Sequence, residues 1–243
     1  MIELLPQVVL LTVAALAAST LAAVAGFGGA AILLPVLVAL FGPRDAIPIL
    51  TIAQLVGNGS RVVINRDAVD RRIVGWFALG GIPAALIGGF LFAAAPLDAL
   101  TRLIGAFLLA SVAWRHIRPR PSGALGPRTF TFIGAFFAFA SALVGSIGPL
   151  MAPFFLAAGL VKSAYIGTEA AATVVMHVAK LVAYGTAALL TAATVGIGLV
   201  MAPAMIVGSL IGKRIVDRLP ERVFVTIIEV VLIVAGLMFL FGG

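Results

Sequence analysis

The stretch Gly26-Phe27-Gly28-Gly29-Ala30-Ala31-Ile32-Leu33-Leu34-Pro35 is a glycine-rich break inside apolar sequence, and its reading decides how the rest of the chain is understood. A second break, Gly145-Ser146-Ile147-Gly148-Pro149-Leu150-Met151-Ala152-Pro153, again runs G-x-x-G toward a proline. The correspondence extends outward. Arg44-Asp45-Ala46 lies as far beyond Pro35 as Lys162-Ser163-Ala164 lies beyond Pro153, and Pro83 and Gly88 fall opposite Pro203 and Gly208. The chain therefore reads as two copies of a unit of roughly 110 to 120 residues, an organisation common in membrane transporters, where breaks at matching places point to a binding site. The copies are expected at residues 1–116 and 129–243, joined by a polar cytoplasmic linker at 117–128.

The surroundings of the breaks are those of a membrane protein. Of the 243 residues 63% are hydrophobic and only 10% charged, and the mean hydropathy is +1.23. A soluble domain would have to expose much of that surface to water, whereas a bilayer solvates it. The expected fold class is all-α, a polytopic membrane protein of about 8 to 10 transmembrane segments, because a bilayer admits only helices or closed barrels and the runs lack strand alternation. The formal charge of +7 is spread over short loops. That distribution sets topology and excludes nucleic acid as a partner. There is no cysteine and there are two histidines, so no disulfide, no cofactor and no conventional metal site is expected. Met1-Ile2-Glu3-Leu4-Leu5-Pro6 lacks the basic region of a signal peptide, and the first span is expected to be retained.

Apolar segments cover approximately 4–25, 28–41, 46–64, 73–94 and 99–114, then 129–144, 148–160, 164–190, 192–212 and 223–241. The segments directly after the glycine breaks are too short for a core of about 30 Å, which needs about 20 helical residues. They are expected as half-helices or re-entrant elements. Three loops are basic: Arg66, Arg71 and Arg72; Arg115, Arg118, Arg120 and Arg128; Lys213, Arg214, Arg218 and Arg222. If both short segments count as crossings, all three loops fall on one side, cytoplasmic by the positive-inside rule, with both termini periplasmic. Five segments per copy is an odd number, so the second copy then inserts upside down. Trp76 and Trp114 lie near basic loops, as interfacial aromatics do.

Each break is followed by a span with a polar stripe. At about 100° per residue, Glu169, Thr173, Met176, His177, Lys180 and Tyr184 share one helical face, and Thr51, Gln54, Asn58, Arg61 and Asn65 share another. A charge near the bilayer centre costs at least about 2.5 kcal/mol, so Glu169 and Lys180 imply a cavity or a partner. Structural ion pairs or interhelical hydrogen bonds are the competing account, and Arg61 is close enough to the loop at Asn65 to snorkel. His177 titrates in a range suited to proton exchange, or serves as a hydrogen-bonding scaffold. At the breaks themselves, Gly26, Phe27, Gly28 and Gly29 and then Gly145, Ser146 and Gly148 would open two helix starts whose free N–H groups form an anion site. Close packing through small residues is the alternative there.

Gly26 to Ala31 also fits G-x-G-x-x-A with Asp45 about 20 residues on, but no soluble βαβ unit surrounds it. Ser19, Ser60 and Ser141 have no partner at dyad spacing, and the chain is not read as an enzyme. Arranged as they are, the Gly26 to Pro35 break, Asp45-Ala46, the Thr51 to Asn65 span, the Asn65-Arg66-Asp67-Ala68-Val69-Asp70 loop and the Gly80 to Gly89 helix resemble the TauE/SafE family, also called the sulfite exporter or TSUP family. The resemblance implies a bacterial inner-membrane transporter of small sulfur-containing anions such as sulfite, thiosulfate or organosulfonates. The second break departs from the pattern, with Ser146 and Pro149 where the first has Phe27 and Ala30, and Glu169, His177 and Lys180 have no charged counterparts in the first copy.

The resulting expectation is a secondary transporter, an exporter or proton-coupled carrier, embedded in the lipid bilayer and compatible with a homo-oligomer. Both breaks, Lys180, Arg61, Asn58, Gln54, Thr51 and Thr173 would hold the anion, and Glu169 or His177 a coupled proton. An anion channel would use the same lining without alternating closure, and a scaffold subunit would pass no ions.

Overall fold

In a computed structural model the described residues are 5–25, 29–117, 125–145, 147–160 and 162–215, with Ile233, Leu237 and Phe241. Gly26, Phe27, Gly28, Ser146, Arg118, Arg120, Arg218, Arg222 and most of the expected last span lie outside them. The described chain is helical: α1 (Leu5–Ala25), α2 (Gly29–Ile64), α3 (Arg71–Ala94), α4 (Leu97–Ile117), α5 (Phe130–Val144), α6 (Gly148–Ala157), α7 (Lys162–Thr186), α8 (Ala192–Val200) and α9 (Ala202–Ile215). Among the described residues six stretches are long and apolar enough to cross a membrane, α8 and α9 together making one of them. The protein is an all-α polytopic membrane protein. The apolar run at 192–212 is broken at Met201, just ahead of Pro203, which cannot donate to a continuing helix.

α2 is two helices. Gly42 has φ 73 and ψ 165, a conformation that glycine adopts without steric cost, and Pro43 begins the next arm as helix starts favour. The arm at 29–41 is about 20 Å long and α6, with 10 residues, about 15 Å. Neither reaches across a hydrocarbon core. Both nevertheless run against their neighbours. The 29–41 arm ends near Arg44, whose guanidinium donates to Ala93 O at 2.6 Å and to Ala95 O, at the far end of α3. α6 instead returns alongside α5, where Phe155 packs edge-on against Phe130 at 4.9 Å and Ala157 O accepts from Leu125 N at 3.1 Å.

The described parts of the basic loops share one end of the molecule. Asp70 N donates to Thr168 Oγ1 at 2.9 Å, which joins the loop at 66–70 to the start of α7. Arg128 lies 5.9 Å from the ring centre of Trp76, near the start of α3. Asn65, Lys162 and Lys213 line one cavity. Counting the short helices as reversals of direction therefore gives the loop arrangement that the charges favour.

Small residues let the helices approach. Adding a Cβ at Gly88 on α3 would bring it 2.8 Å from Phe139 O and 2.9 Å from the Ala142 methyl on α5, and at Gly208 on α9 it would lie 2.7 Å from Leu16 O on α1. In a bilayer such close packing, not apolar burial, drives helix association. Ser19 adds a polar link, 2.9 Å from Ser209 Oγ and donating to Met205 O. The outer surface is apolar, with Phe132 78% and Phe136 67% exposed, while Gln54, Asn58, Arg61, Glu169, His177 and Lys180 are buried.

Gly208→Val is expected to destabilise the protein by about 1–3 kcal/mol through overpacking, read as a lower melting temperature in detergent. Gly75→Val, where an added Cβ meets nothing within 4 Å, should leave the melting temperature close to that of the wild type.

Candidate functional site

The start of α2, the start of α6, the second arm of α2 and α7 converge, with Ala22 of α1 and Ser141 of α5, on one cavity of about 40 Å³. On the measure by which one water needs about 10–15 Å³, it has room for a few waters or one compact oxyanion. Gly29 and Ala30 open α2 against it, and Gly145, Ile147, Gly148 and Met151 bring the α5–α6 turn to it. The two short helices leave it in opposite directions, so both present their N-termini to the same space. Gly145 carries φ 82, which a side chain would strain, and a Cβ there would press on Leu50 and Ile47 at 3.2 and 3.3 Å. α6 has no side-chain cap, its N-cap being Ile147. Pro149 has no N–H, and Leu150 N and Met151 N donate to Ile147 O at 3.0 and 3.2 Å, so the Gly148 N–H is the one in this first turn that a Ser, Thr, Asp or Asn cap would have met.

Side chains complete the lining from two facing helices. Gln54, Asn58 and Arg61 recur at helical spacing on α2, and Glu169, Thr173, Met176 and His177 on α7. Arg61 does not snorkel. It is 4% exposed, donates to Ala22 O at 3.1 Å and to Asn58 Oδ1, and its Nη1 stands 3.5 Å from Glu169 Oε2. Thr173 Oγ1 donates to Glu169 Oε1 at 3.2 Å. The cation and the carboxylate thus come from opposite halves of the chain and neutralise each other.

Three polar atoms of residues lining this cavity have no hydrogen-bond partner, Gln54 Nε2, His177 Nδ1 and Glu169 Oε2, the last facing Arg61 Nη1 at 3.5 Å. A buried polar group left unpaired costs about 1–3 kcal/mol. A ligand that offers oxygen atoms to the Gln54 amide relieves that cost, and so does one that pairs the free imidazole nitrogen.

The structure gathers Gly29, Gln54, Asn58, Arg61, Gly145, Gly148, Glu169, Thr173 and His177 at one place. Thr51 and Lys180 stand away from the lining. The Thr51 hydroxyl donates to Ile47 O at 2.7 Å within its own helix, and Lys180 Nζ donates to Ser141 Oγ at 3.1 Å. Ser141 itself lines the cavity, so Lys180 stands one side chain behind it. Ser141 was visible in the sequence as the polar residue four positions before Gly145.

Fold and site together define a class: a polytopic α-helical membrane protein with a small polar cavity between two opposed helix starts. The chain belongs to the sulfite exporter TauE/SafE family, whose model matches residues 11–239. That family consists of transporters of sulfite and related sulfur anions, not of enzymes. No curated protein matches the chain, and neither does any solved structure.

Removing one member of the buried pair should cost more than removing both. Arg61→Met leaves Glu169 buried without its cation, a loss of about 3–5 kcal/mol, whereas Arg61→Met combined with Glu169→Leu removes both charges and is nearly neutral by comparison. Thermal unfolding in detergent is expected to put the double variant closer to the wild type than the Arg61 variant.

Proposed function

We propose that the protein is a secondary carrier of compact sulfur oxyanions, sulfite first among them, across a bacterial inner membrane, with both termini periplasmic. The observation that carries this reading is the meeting of two helix N-termini and the buried Arg61 at one cavity of about 40 Å³. Helix starts favour anions through free N–H groups and the dipole end. Gln54, Asn58 and Thr173 supply further polar contacts. Lys180 and Thr51 act from behind, Lys180 through Ser141. Cavity size favours a four-atom oxyanion over longer organosulfonates.

Glu169 gives a reason for proton coupling. While its carboxylate is ionised, the Arg61 charge is already neutralised, and an entering anion adds an uncompensated negative charge at low dielectric. A proton on Glu169 transfers that attraction to the anion. His177, lining the same cavity, is the second candidate to carry the proton.

A duplicated, inverted architecture is supported by reciprocal packing. α1, the first helix of one half, lies parallel to α9, near the end of the other, with Leu16 beside Gly208 and Thr20 beside Gly212. α5, the first helix of the second half, lies parallel to α3 in the same way, with Thr131 beside Gly80 and Ala142 beside Gly88. A two-fold exchange of halves relates such pairs, and rocking of one half against the other would give alternating access.

Reconstituted in proteoliposomes, the wild type is expected to move labelled sulfite saturably and faster under a pH gradient. Glu169→Gln should keep sulfite exchange and lose the response to the gradient, and Gln54→Leu should raise KM about tenfold, the value of one hydrogen bond to a charged group. Flux that rises without saturation would favour the channel, and absence of flux for every sulfur anion would overturn the reading. For topology, a cysteine replacing Asp67, whose side chain is 95% exposed, should be labelled from the cytoplasmic face. One replacing Leu97, 50% exposed, should be labelled from the periplasmic face.

A further inference from the structure

A second cavity, of about 430 Å³, lies at the basic-loop end. It is roughly ten times the volume of the central one. Three cations line it from three different helices, Arg61 from α2, Lys162 from α7 and Lys213 from α9, and no carboxylate is among its described lining residues. Lys162 has φ 48, a left-handed conformation that glycine takes more readily, yet the chain places a lysine there. Tyr165, also in the lining, is 6% exposed and its hydroxyl has no hydrogen-bond partner. A buried donor in a cavity lined by Lys162 and Lys213, with Arg61 already paired to Glu169, calls for a ligand with oxygen atoms and negative charge. Arg61 lines both cavities, so one residue is shared between them.

We propose that this outer cavity is a second anion site, which takes soluble sulfonate-type or phosphate-type oxyanions larger than the central cavity admits and passes compact ones inward across Arg61. Inward passage rests on the carrier reading; binding at the outer site does not. Lys162 and Lys213 collect the anion, and Tyr165 adds a hydrogen bond. The same chemistry would suit the headgroup of an anionic lipid. The shared Arg61 favours the soluble source, because it connects the outer cavity to the protein's centre.

The probe is benzene-1,3-disulfonate, too large for the central cavity, titrated calorimetrically into the full chain in neutral detergent at low salt. Wild type is expected to bind it. Lys162→Gln with Lys213→Gln should weaken binding roughly tenfold, since both exposed cations that collect the anion are lost. Lys162→Arg with Lys213→Arg should retain binding, which separates lost charge from a damaged fold. The compound should also compete with sulfite flux from the basic-loop face. No binding by the wild type, or equal binding by the glutamine variant, would overturn the proposal. In nanodiscs, disulfonate binding should be equal in phosphatidylcholine alone and with about a fifth phosphatidylglycerol. Its abolition by phosphatidylglycerol would assign the cavity to lipid headgroups and overturn the soluble-anion site. Disulfonate binding without any sulfite flux would sink the carrier reading and leave the outer site standing, while flux without disulfonate binding would do the reverse.

Discussion

A helix that begins inside a bilayer carries backbone N–H groups that its own turns cannot satisfy, and hydrocarbon offers them nothing. This constraint governs the centre of the molecule. α2 begins at Gly29 and α6 at Gly148, both at the central cavity, and α6 has an isoleucine where a capping side chain would stand. Such starts are tolerated only where they face a polar space. That requirement gathers Gln54, Asn58, Arg61, Glu169, Thr173 and His177 around them. The tight crossings of α1 with α9 and α3 with α5 follow from the same need, since they close the lipid out.

Arg61 and Glu169 are the costly part of this arrangement. Two charges at 4% and 3% exposure must be compensated by each other and by hydrogen bonds. Asn58, the Ala22 carbonyl and Thr173 supply those bonds. A well-packed apolar pair would serve stability as well or better. Under the proposed carrier reading, the ionic pair here is better explained by what it does to a passing anion than by what it adds to the fold.

Much of this was legible in the chain. Composition fixed the membrane class, the paired glycine breaks located the two short helices, and loop charge anticipated which loops share an end. The helical wheel also found both polar stripes, but it discards position along the helix axis. Lys180 shares a face with Glu169 yet lies 11 residues on, about 16 Å along α7, which carries it past the cavity to Ser141. Thr51 is displaced from Arg61 in the same way, about 15 Å along α2, and falls back on its own helix. Gly42 was harder to read, because a break between two apolar runs does not say whether the chain turns back or only kinks; Arg44 reaching Ala93 O shows where that corner sits. Ser141 has no dyad partner in the sequence. Its relevance is geometric, one turn before a glycine corner that aims its helix at the cavity.

In the proposed carrier, the distribution of these side chains between the two halves of the chain acquires a meaning. The cation comes from the first half of the chain, and the carboxylate and the imidazole from the second. Their 3.5 Å contact spans α2 and α7, so movement of one half against the other must stretch or remake it. An anion that competes for Arg61, or a proton that neutralises Glu169, weakens the same contact. In the proposed carrier, occupancy of the cavity and the freedom of the halves to move are therefore linked through one pair of side chains. A ligand can shift a conformational equilibrium only by the difference in its affinity for the two states. Here that difference has a physical source, because the state in which Arg61 and Glu169 separate is the one in which the anion has the guanidinium to itself.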